Sequence, residues 1–495
     1  MLRGIVAAAL LCVEVAFGSI YPVQNELYAE ANGESSSEAL YFPFQRAEKM
    51  FGSNQGPLFA KHGVSTIELD VHGVNVTSAM NGWRMVVFHY QANNLQALAD
   101  AEGNIGLFAC SLDNANFALS GMSHYERHEF TIANESIAFN TTYLVNSSGW
   151  IDSLVFVCSG GQAGQTILDF EGTLAVRNTY GYLPAVFYGL LPFSGFLSLG
   201  YFMLAFFFAI LLCCHRQEAI ALQYGIFCVL VLGTVSSAVW FIALFEMNAK
   251  GAPFSWPLPP LYIAAVTCDA GMRTFARILL LVVCLGYGIV RNQLPKLDKF
   301  LIVLISLSYF GTGVADDLIR EGSADRGAGI GRHRPSIWAI MQLCCNLVFV
   351  LWIYLSLESI LKQLRADKQF AKLRMYELLA WSLAGFVLFF TCLTGIAVSS
   401  RIGLFEWPIE WEWMQLVAWP ILNFIVCAAM CIIWRPTARS SQFAFSTQLP
   451  MTDEDDKATV EMSPTVADTH VSPRFTIGEE DDEDDHEHAK GINST

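Results

Sequence analysis

The sequence predicts an all-β domain followed by an all-α bundle of seven transmembrane helices. Of the 495 residues, 54% are hydrophobic, and the mean hydropathy is +0.41. Such a composition is typical of a polytopic membrane protein rather than a soluble chain of this size. Residues 19–178 are polar and contain short β-rich runs, whereas residues 181–434 contain seven apolar segments. Residues 435–495 form a strongly acidic tail.

Residues 1–18 have the features of a signal peptide. Arg3 is its charged end, Gly4–Val13 is a short apolar core, and Ala16-Phe17-Gly18 is a small-x-small cleavage site. The alternative is a signal anchor that stays in the membrane. Either way, we expect the domain that follows to lie in the lumen or outside the cell.

Residues 19–178 predict an antiparallel β-sandwich, because short β-rich runs alternate with Gly, Asn and Ser and no long helical period competes. Ile67–Val71 alternates apolar and polar residues, as a half-buried strand does. About 160 residues are enough for a core of their own. The other β-rich runs are Met85–Tyr90, Ile105–Cys110, Ser136–Phe139, Leu154–Cys158 and Thr173–Val176.

Covalent modification of this domain is also predicted. After removal of the signal peptide it holds two cysteines, Cys110 and Cys158, which an oxidising lumen favours as a disulfide over two free thiols. Three glycosylation sequons fall within thirteen residues, which indicates a glycosylated surface. The predicted acceptors are Asn75, Asn134, Asn140 and Asn146.

Seven apolar segments after a lumenal start place the acidic tail in the cytosol. The cytosolic segments of this topology carry eleven Lys and Arg residues and the lumenal loops carry six, in agreement with the positive-inside rule. The predicted spans are Gly181–Cys214, Ala219–Phe245, Leu258–Val290, Phe300–Leu318, Ser336–Leu357, Leu378–Ser400 and Trp413–Trp434.

The third span, Leu258–Val290, carries three charges. Asp269, Arg273 and Arg277 are four residues apart, so they lie on one face of a helix. A charge near mid-bilayer costs roughly 2.5–3.5 kcal/mol on insertion scales, so it normally faces protein or water. We therefore expect the other helices to surround this face.

Three interpretations of the charged face are open. Arg273 and Arg277 could hold a phospholipid headgroup or another anion, with Asp269 orienting one of them. The face could instead line an ion path, with acids at its lumenal mouth concentrating cations. Asp269 and Arg273 could simply form an ion pair that stabilises the bundle. The mouth acids of the second interpretation are Glu246, Asp316, Glu410 and Glu412.

Several function classes find no support in the sequence. There is no metal-ligand spacing, no Gly-x-Ser-x-Gly and no pair of intramembrane aspartates on two helices of the kind that an aspartyl protease needs, so we expect neither an enzyme nor a metal cofactor. The chain has a net charge of −16 and no basic patch, which argues against nucleic acid as a partner. A G-protein-coupled ligand receptor is open from helix count alone, although its usual motifs are missing.

The tail, residues 435–495, has the composition of a disordered segment. Asp453–Asp456 and Glu479–Asp485 are acidic runs with few aromatic residues nearby. We expect cytosolic trafficking factors as partners of this tail, the alternative being an acidic tail that only keeps the chain solvated.

Four short motifs in order resemble one family. They are Asn178–Leu183 before the first span, Ala276-Arg277 with Leu285–Val290 in the third, Trp434-Arg435-Pro436 after the seventh, and Gln442–Ser446. With the signal peptide, β-domain and seven spans, the chain resembles the transmembrane-protein-87 branch of the GOLD-domain seven-transmembrane, or lung seven-transmembrane receptor, family.

The resemblance implies a GOLD-like sandwich on a bundle similar to that of Wntless. It further implies residence in Golgi and endosome membranes and a role in endosome-to-Golgi retrieval, with membrane lipids and a lumenal cargo protein as partners. A lipid-accessible cavity in the bundle is also implied, and a phospholipid is the ligand that the arginines could hold there. The alternatives within this resemblance are a cation channel that contributes to Golgi ion and pH homeostasis, and an orphan ligand-binding receptor. Only Arg277 of the three charges lies in a motif like the family's.

Overall fold

The structure is a computed structural model, described here over most of the sandwich and bundle. The signal peptide, the acidic tail beyond residue 437, Cys110 and Asn134 lie outside the described residues. The described residues are 20–29, 40–57, 60–76, 84–92, 122–132, 138–158, 166–251, 259–290, 293–322, 337–401 and 408–437.

In the described part of the domain, eight strands form two antiparallel four-stranded sheets, which confirms the predicted all-β domain. One sheet has the order β1-β8-β3-β6 and the other β2-β7-β4-β5. The strands are β1 (Ile20–Ala29), β2 (Leu40–Met50), β3 (Thr66–Val76), β4 (Arg84–Ala92), β5 (Met122–Thr131), β6 (Ala138–Leu144), β7 (Gly149–Cys158) and β8 (Thr166–Arg177).

The core of the sandwich comes from the inward-facing residues of both sheets. Strand β6 alternates strictly between exposed and buried residues, so one of its faces is buried against the other sheet. Leu69 and Val71 of β3 pack in one cluster with Val87 of β4 and Val155 of β7. The predicted β-rich runs that contain these four residues are therefore strands, and each buries an apolar face as predicted.

Seven long helices follow among the described residues, which confirms the predicted helical bundle. Six of them contain an apolar stretch long enough to cross a bilayer. The exception is α3, because every 18-residue window of it contains three charges. The helices are α1 (Leu190–Cys214), α2 (Ala221–Lys250), α3 (Pro260–Cys284), α4 (Lys296–Gly322), α5 (Ile337–Ala366), α6 (Phe370–Arg401) and α7 (Met414–Ile433).

Four predicted spans have an end that differs from the structure by six or more residues: α5 continues to Ala366 and α6 begins at Phe370, so both are longer than predicted, whereas α1 and α3 are shorter. Helix α1 begins at Leu190 rather than at Gly181, which has φ +139° and pairs with Asn178 in a β-bridge. Helix α3 ends at Cys284 rather than at Val290. Gly286 and Gly288 follow it with φ near +77°, a left-handed conformation that ends a helix.

The sandwich and the bundle are joined by side-chain contacts as well as by the chain. The Asn178 side chain accepts from the Phe51 backbone N–H and donates to the Leu183 carbonyl. Asn248, near the end of α2, donates to the Tyr180 carbonyl and accepts from the Leu183 N–H. These bonds fix the connection, so the end of α2 lies at the end of the bundle beside the sandwich, here called the sandwich end.

The other end of the bundle is defined by contacts among the remaining helix termini. Gln223, in the first turn of α2, donates to the carbonyl of Trp434, just after α7. Tyr376, near the start of α6, donates to the Val283 carbonyl at the end of α3. These residues lie at what we call the opposite end of the bundle.

Candidate functional site

The three charges predicted to share a helix face do so on α3. Asp269, Arg273 and Arg277 follow one another at four-residue spacing, and each is only partly exposed. The side chains that meet them come from α2, α4 and α5. The charges therefore face protein rather than only lipid, as their cost in a bilayer requires.

Arg273 lies between two carboxylates. Its Nε is 2.9 Å from Oδ2 of Asp269, one turn earlier on α3, and its Nη2 donates to Oδ2 of Asp317 on α4 at 2.8 Å. The Ser236 hydroxyl of α2 donates to the other oxygen of Asp269 at 3.4 Å. The expected Asp269–Arg273 pair is thus part of a four-membered network that links α2, α3 and α4.

Arg277 has a different environment. Among the described residues, no carboxylate lies within 4 Å of its guanidinium group. Its Nε donates to Oδ1 of Asn346 on α5 at 3.3 Å, and its Nη1 donates to the Arg273 carbonyl at 3.2 Å. The guanidinium also lies over the Tyr309 ring of α4, 4.6 Å from the centroid. These contacts orient Arg277 through neutral groups, and Asp269 attracts it only at longer range, so no described carboxylate is paired with it directly.

The arrangement assigns different chemistry to the two arginines. Arg273 is neutralised by Asp269 and Asp317, so it has little attraction left for an anion. Arg277 is held by an amide, a carbonyl and an aromatic face, while Nη2 has no hydrogen-bond partner among the described residues. A guanidinium with free N–H groups in a low-dielectric environment is suited to phosphate or carboxylate.

No sequence pattern singles out Asp317, Tyr309 or Asn346, which complete the cluster. Asp317 follows Asp316, and the sequence prediction assigned only Asp316 to the lumenal mouth. In the structure Asp316 is 8% exposed and Asp317 contacts Arg273. Tyr309 and Asp317 are eight residues apart, which is compatible with one face of α4 but does not mark them as partners of α3.

Two of the four predicted mouth acids are already paired. Glu412, just before α7, accepts two hydrogen bonds from the Lys49 ammonium of β2, at 2.9 and 3.0 Å. Glu246 pairs with Lys250 one turn later on α2. Glu410 accepts from the Trp413 indole through its backbone carbonyl. Glu412 therefore links the bundle to the sandwich, and its charge is matched by Lys49.

The predicted modification sites of the sandwich are only partly described. Cys158 is disulfide-bonded, and its predicted partner Cys110 lies outside the described residues. Asn140 and Asn146 are exposed, and Asn75 lies in β3. The specific pairing and the glycosylation therefore stay predictions. In the described parts of the chain, no group of three or more His, Cys, Asp or Glu side chains could hold a metal ion.

The sandwich also buries a histidine on its inner face. His89 of β4 is 0% exposed; its Nδ1 lies 2.9 Å from the Ser153 hydroxyl and its Nε2 3.3 Å from that of Thr141. Its ring stacks on Tyr143. Burial, with a smaller contribution from His128, lowers the pKa of His89 to about 3. His89 is therefore neutral throughout the physiological range.

Comparison with known proteins places this architecture in a family. Residues 189–441, just over half of the chain, match the family described as "GOST, seven transmembrane domain". The chain belongs to the GOST seven-transmembrane family. The match covers all seven helices of this GOST chain, including α3 with its charged cluster.

Individual relatives support the transmembrane protein 87 branch of the GOST family. Transmembrane protein 87A of Mus musculus is 25% identical over 300 residues, which cover 58% of this chain and 50% of the relative. Transmembrane protein 87B of Mus musculus is 24% identical over 303 residues, covering 59% of this chain and 50% of the relative. Membrane protein PTM1 of Saccharomyces cerevisiae (strain YJM789) is 26% identical over 388 residues, 72% of this chain and 71% of the relative. The matches thus span about half the length of the mammalian relatives.

Proposed function

We propose that this GOST chain acts in membrane trafficking at the Golgi and endosomes, and that its bundle binds an anionic lipid headgroup at Arg277. The trafficking role and the location rest on the family resemblance of the short motifs. The binding role rests on the charged cluster. The sandwich would lie in the lumen, where a cargo protein can contact it, and the acidic tail would face cytosolic trafficking factors.

The unmatched charge of Arg277 is the observation that carries the binding role. A charged side chain inside a membrane protein pairs with an opposite charge, as Arg273 does twice, or with backbone carbonyls. Arg277 has instead an amide, a backbone carbonyl and an aromatic ring as partners. An anion beside the guanidinium would give Arg277 the direct ionic partner that it lacks among the described residues.

A phospholipid is the anion best suited to this position. Its phosphate can accept two parallel hydrogen bonds from one guanidinium, and its acyl chains match the apolar side chains of the bundle. A free carboxylate or inorganic phosphate can accept the same hydrogen bonds from the guanidinium but has no apolar chains. Retention of a diacyl lipid, rather than of a small anion, therefore distinguishes the two.

The test is the lipid content of the purified chain. Full-length protein and the Arg277→Gln variant are purified in mild detergent, and retained phospholipid is quantified by mass spectrometry. We expect wild-type protein to retain phospholipid and Arg277→Gln to lose at least half of it. Arg216→Gln is the matched control, because Arg216 is exposed at the opposite end of the bundle and removal of its charge leaves the cluster intact.

Two outcomes would contradict the binding role. One is equal phospholipid retention by wild-type protein and a monodisperse Arg277→Gln variant. The other is an equal loss in Arg216→Gln, which would assign retention to the membrane surface. The trafficking role has its own test, the rate of return of an endosome-to-Golgi cargo in cells that lack the chain; an unchanged rate would overturn it.

A cation channel is the alternative function. The unmatched positive charge of Arg277 would repel cations from a path along this face. Glu412 and Glu246, two acids expected to concentrate cations at its mouth, are paired with Lys49 and Lys250. We therefore expect purified protein in planar bilayers to show no cation conductance, and a conductance altered by Arg277→Gln would favour the channel.

A further inference from the structure

Helix α1 ends in two adjacent cysteines. Cys213 and Cys214 are its last residues, and both are free and exposed. The next residues, His215 and Arg216, begin the short connection to α2. A cysteine pair at the end of a membrane span, followed by a basic residue, is in the position where membrane proteins are S-acylated.

The cysteines lie at the bundle end that faces away from the sandwich. Only six residues separate Cys214 from Ala221, where α2 begins. Gln223, in the first turn of α2, donates to the Trp434 carbonyl after α7. By contrast, the end of α2 is held beside the sandwich by Asn248. The predicted topology therefore puts both thiols at the cytosolic surface of the membrane.

The last two turns of α1 expose an apolar surface that continues to the thiols. Phe207, Ile210 and Leu211 are 57%, 45% and 36% exposed. They precede Cys214 by seven, four and three residues, so all four share one face of the helix. This face has no protein cover in the described structure and is suited to lipid acyl chains. An acyl chain attached to Cys214 could lie along it.

We propose that Cys213 and Cys214 are S-acylation sites that carry long-chain fatty acyl groups. In the reaction the cysteine thiolate attacks the thioester carbonyl of a long-chain acyl-coenzyme A. A new carbon–sulfur bond forms at the cysteine, the bond to coenzyme A breaks, and the proton of the cysteine thiol ends on the released coenzyme A thiol. No oxidant or reductant is needed, and a membrane acyltransferase of the cytosolic leaflet is the class of catalyst.

Three other exposed cysteines differ from this pair in position. Cys228, Cys344 and Cys392 lie within helices α2, α5 and α6, at least seven residues from either end. Cys228 is the closest control, because it is seven residues into α2 from the same end of the bundle. Its thiol lies about 10 Å further along the helix axis than the first residue of α2, given the rise per residue.

The test is acyl exchange on the full-length chain expressed in eukaryotic cells. Free thiols are blocked, thioesters are cleaved with hydroxylamine, and the released thiols are coupled to a polymer that retards the band. We expect up to two hydroxylamine-dependent bands above the unmodified chain. The double variant Cys213→Ser/Cys214→Ser should lose them, and Cys228→Ser should keep them.

Peptide mass spectrometry of the wild-type chain is the second measurement, and it does not depend on any variant. It should show an acyl adduct on the peptide that contains Cys213 and Cys214. The proposal is overturned if the wild-type chain shows no hydroxylamine-dependent band, if the bands persist in the double variant, or if the modification is removed by a reductant instead of hydroxylamine.

Discussion

The guanidinium of Arg273 and the carboxylate of Asp317 lie 2.8 Å apart and join α3 to α4 inside the bundle. Arg273 contacts Asp269 at the same time, so two acids share one directly paired arginine. The second arginine, Arg277, is left with neutral partners. The functional proposal rests on this difference between Arg273, which has carboxylate partners, and Arg277, which has neutral partners. The same difference predicts how substitutions of the residues around them affect stability and lipid retention.

Replacement of Asp317 by asparagine should destabilise the bundle. Arg273 would lose one of two carboxylates in a partly buried network, at a cost of about 2 kcal/mol, less than for a fully buried pair because the side chains keep some exposure. Thermal unfolding of purified Asp317→Asn should show the loss. Glu358→Gln, which breaks the exposed pair with Lys362, is the control and should leave thermal unfolding nearly unchanged. Equal effects of the two variants would contradict the network.

We expect the aromatic face of Tyr309, and not its hydroxyl, to hold the Arg277 guanidinium in place. Tyr309→Phe keeps an aromatic face under the guanidinium, whereas Tyr309→Leu removes it, with a loss of about 0.5–2 kcal/mol of cation–π attraction. We expect Tyr309→Phe to retain phospholipid as the wild type does and Tyr309→Leu to retain less. The measurement is lipid mass spectrometry on both variants; an equal loss in Tyr309→Phe and Tyr309→Leu would point to the hydroxyl instead.

The Lys49–Glu412 pair should couple the sandwich to the bundle. Lys49→Met removes the ion pair and the contact of the ammonium with the Trp150 ring, at a cost of about 1 kcal/mol. Hydrogen exchange should then be faster in β2 and in residues 409–411 while β8 is unchanged. The double reversal Lys49→Glu/Glu412→Lys should restore much of the protection. If hydrogen exchange in the double reversal is as fast as in Lys49→Met, the Lys49–Glu412 pair does not couple the two domains.

The neutral, buried His89 should make the sandwich sensitive to acid. Its pKa is about 3 when folded, against 6.5 for an ordinary histidine, so the unfolded state binds more protons between these values. Its contribution to stability is complete above pH 6.5 and falls by about 1.4 kcal/mol per pH unit as the pH drops toward 3. Hydrogen exchange of β4, corrected for intrinsic rates, should show this slope from pH 6.5 to 5.5, and His89→Gln should flatten it. Identical slopes would exclude His89 as the cause.

The strands show which part of the sandwich could be predicted from sequence. Four predicted runs fall in β3, β4, β7 and β8, which are the interior strands of the two sheets. The strands without a predicted run, β1, β2 and β5, are all edge strands. Edge strands carry charges and proline, so their apolar and polar residues do not alternate clearly. In β5, Glu126, Arg127 and Glu129 interrupt the pattern.

Only the members of the charged cluster that lie on α3 could be predicted from the sequence. The four-residue spacing of Asp269, Arg273 and Arg277 follows from the geometry of α3 alone. The residues that meet them depend on how helices far apart in sequence pack, which no local pattern fixes. Asp317 and Asn346 are therefore visible only in the folded bundle, and it is their arrangement that separates the role of Arg273 from that of Arg277.

The most direct test of the central claim is an experimental map of the wild-type chain in lipid nanodiscs, read at Arg277. We predict density for a phospholipid headgroup within hydrogen-bond distance of the Arg277 guanidinium, while Arg273 stays between Asp269 and Asp317. A guanidinium of Arg277 enclosed by packed side chains, or paired with a protein carboxylate and without headgroup density, would contradict the claim.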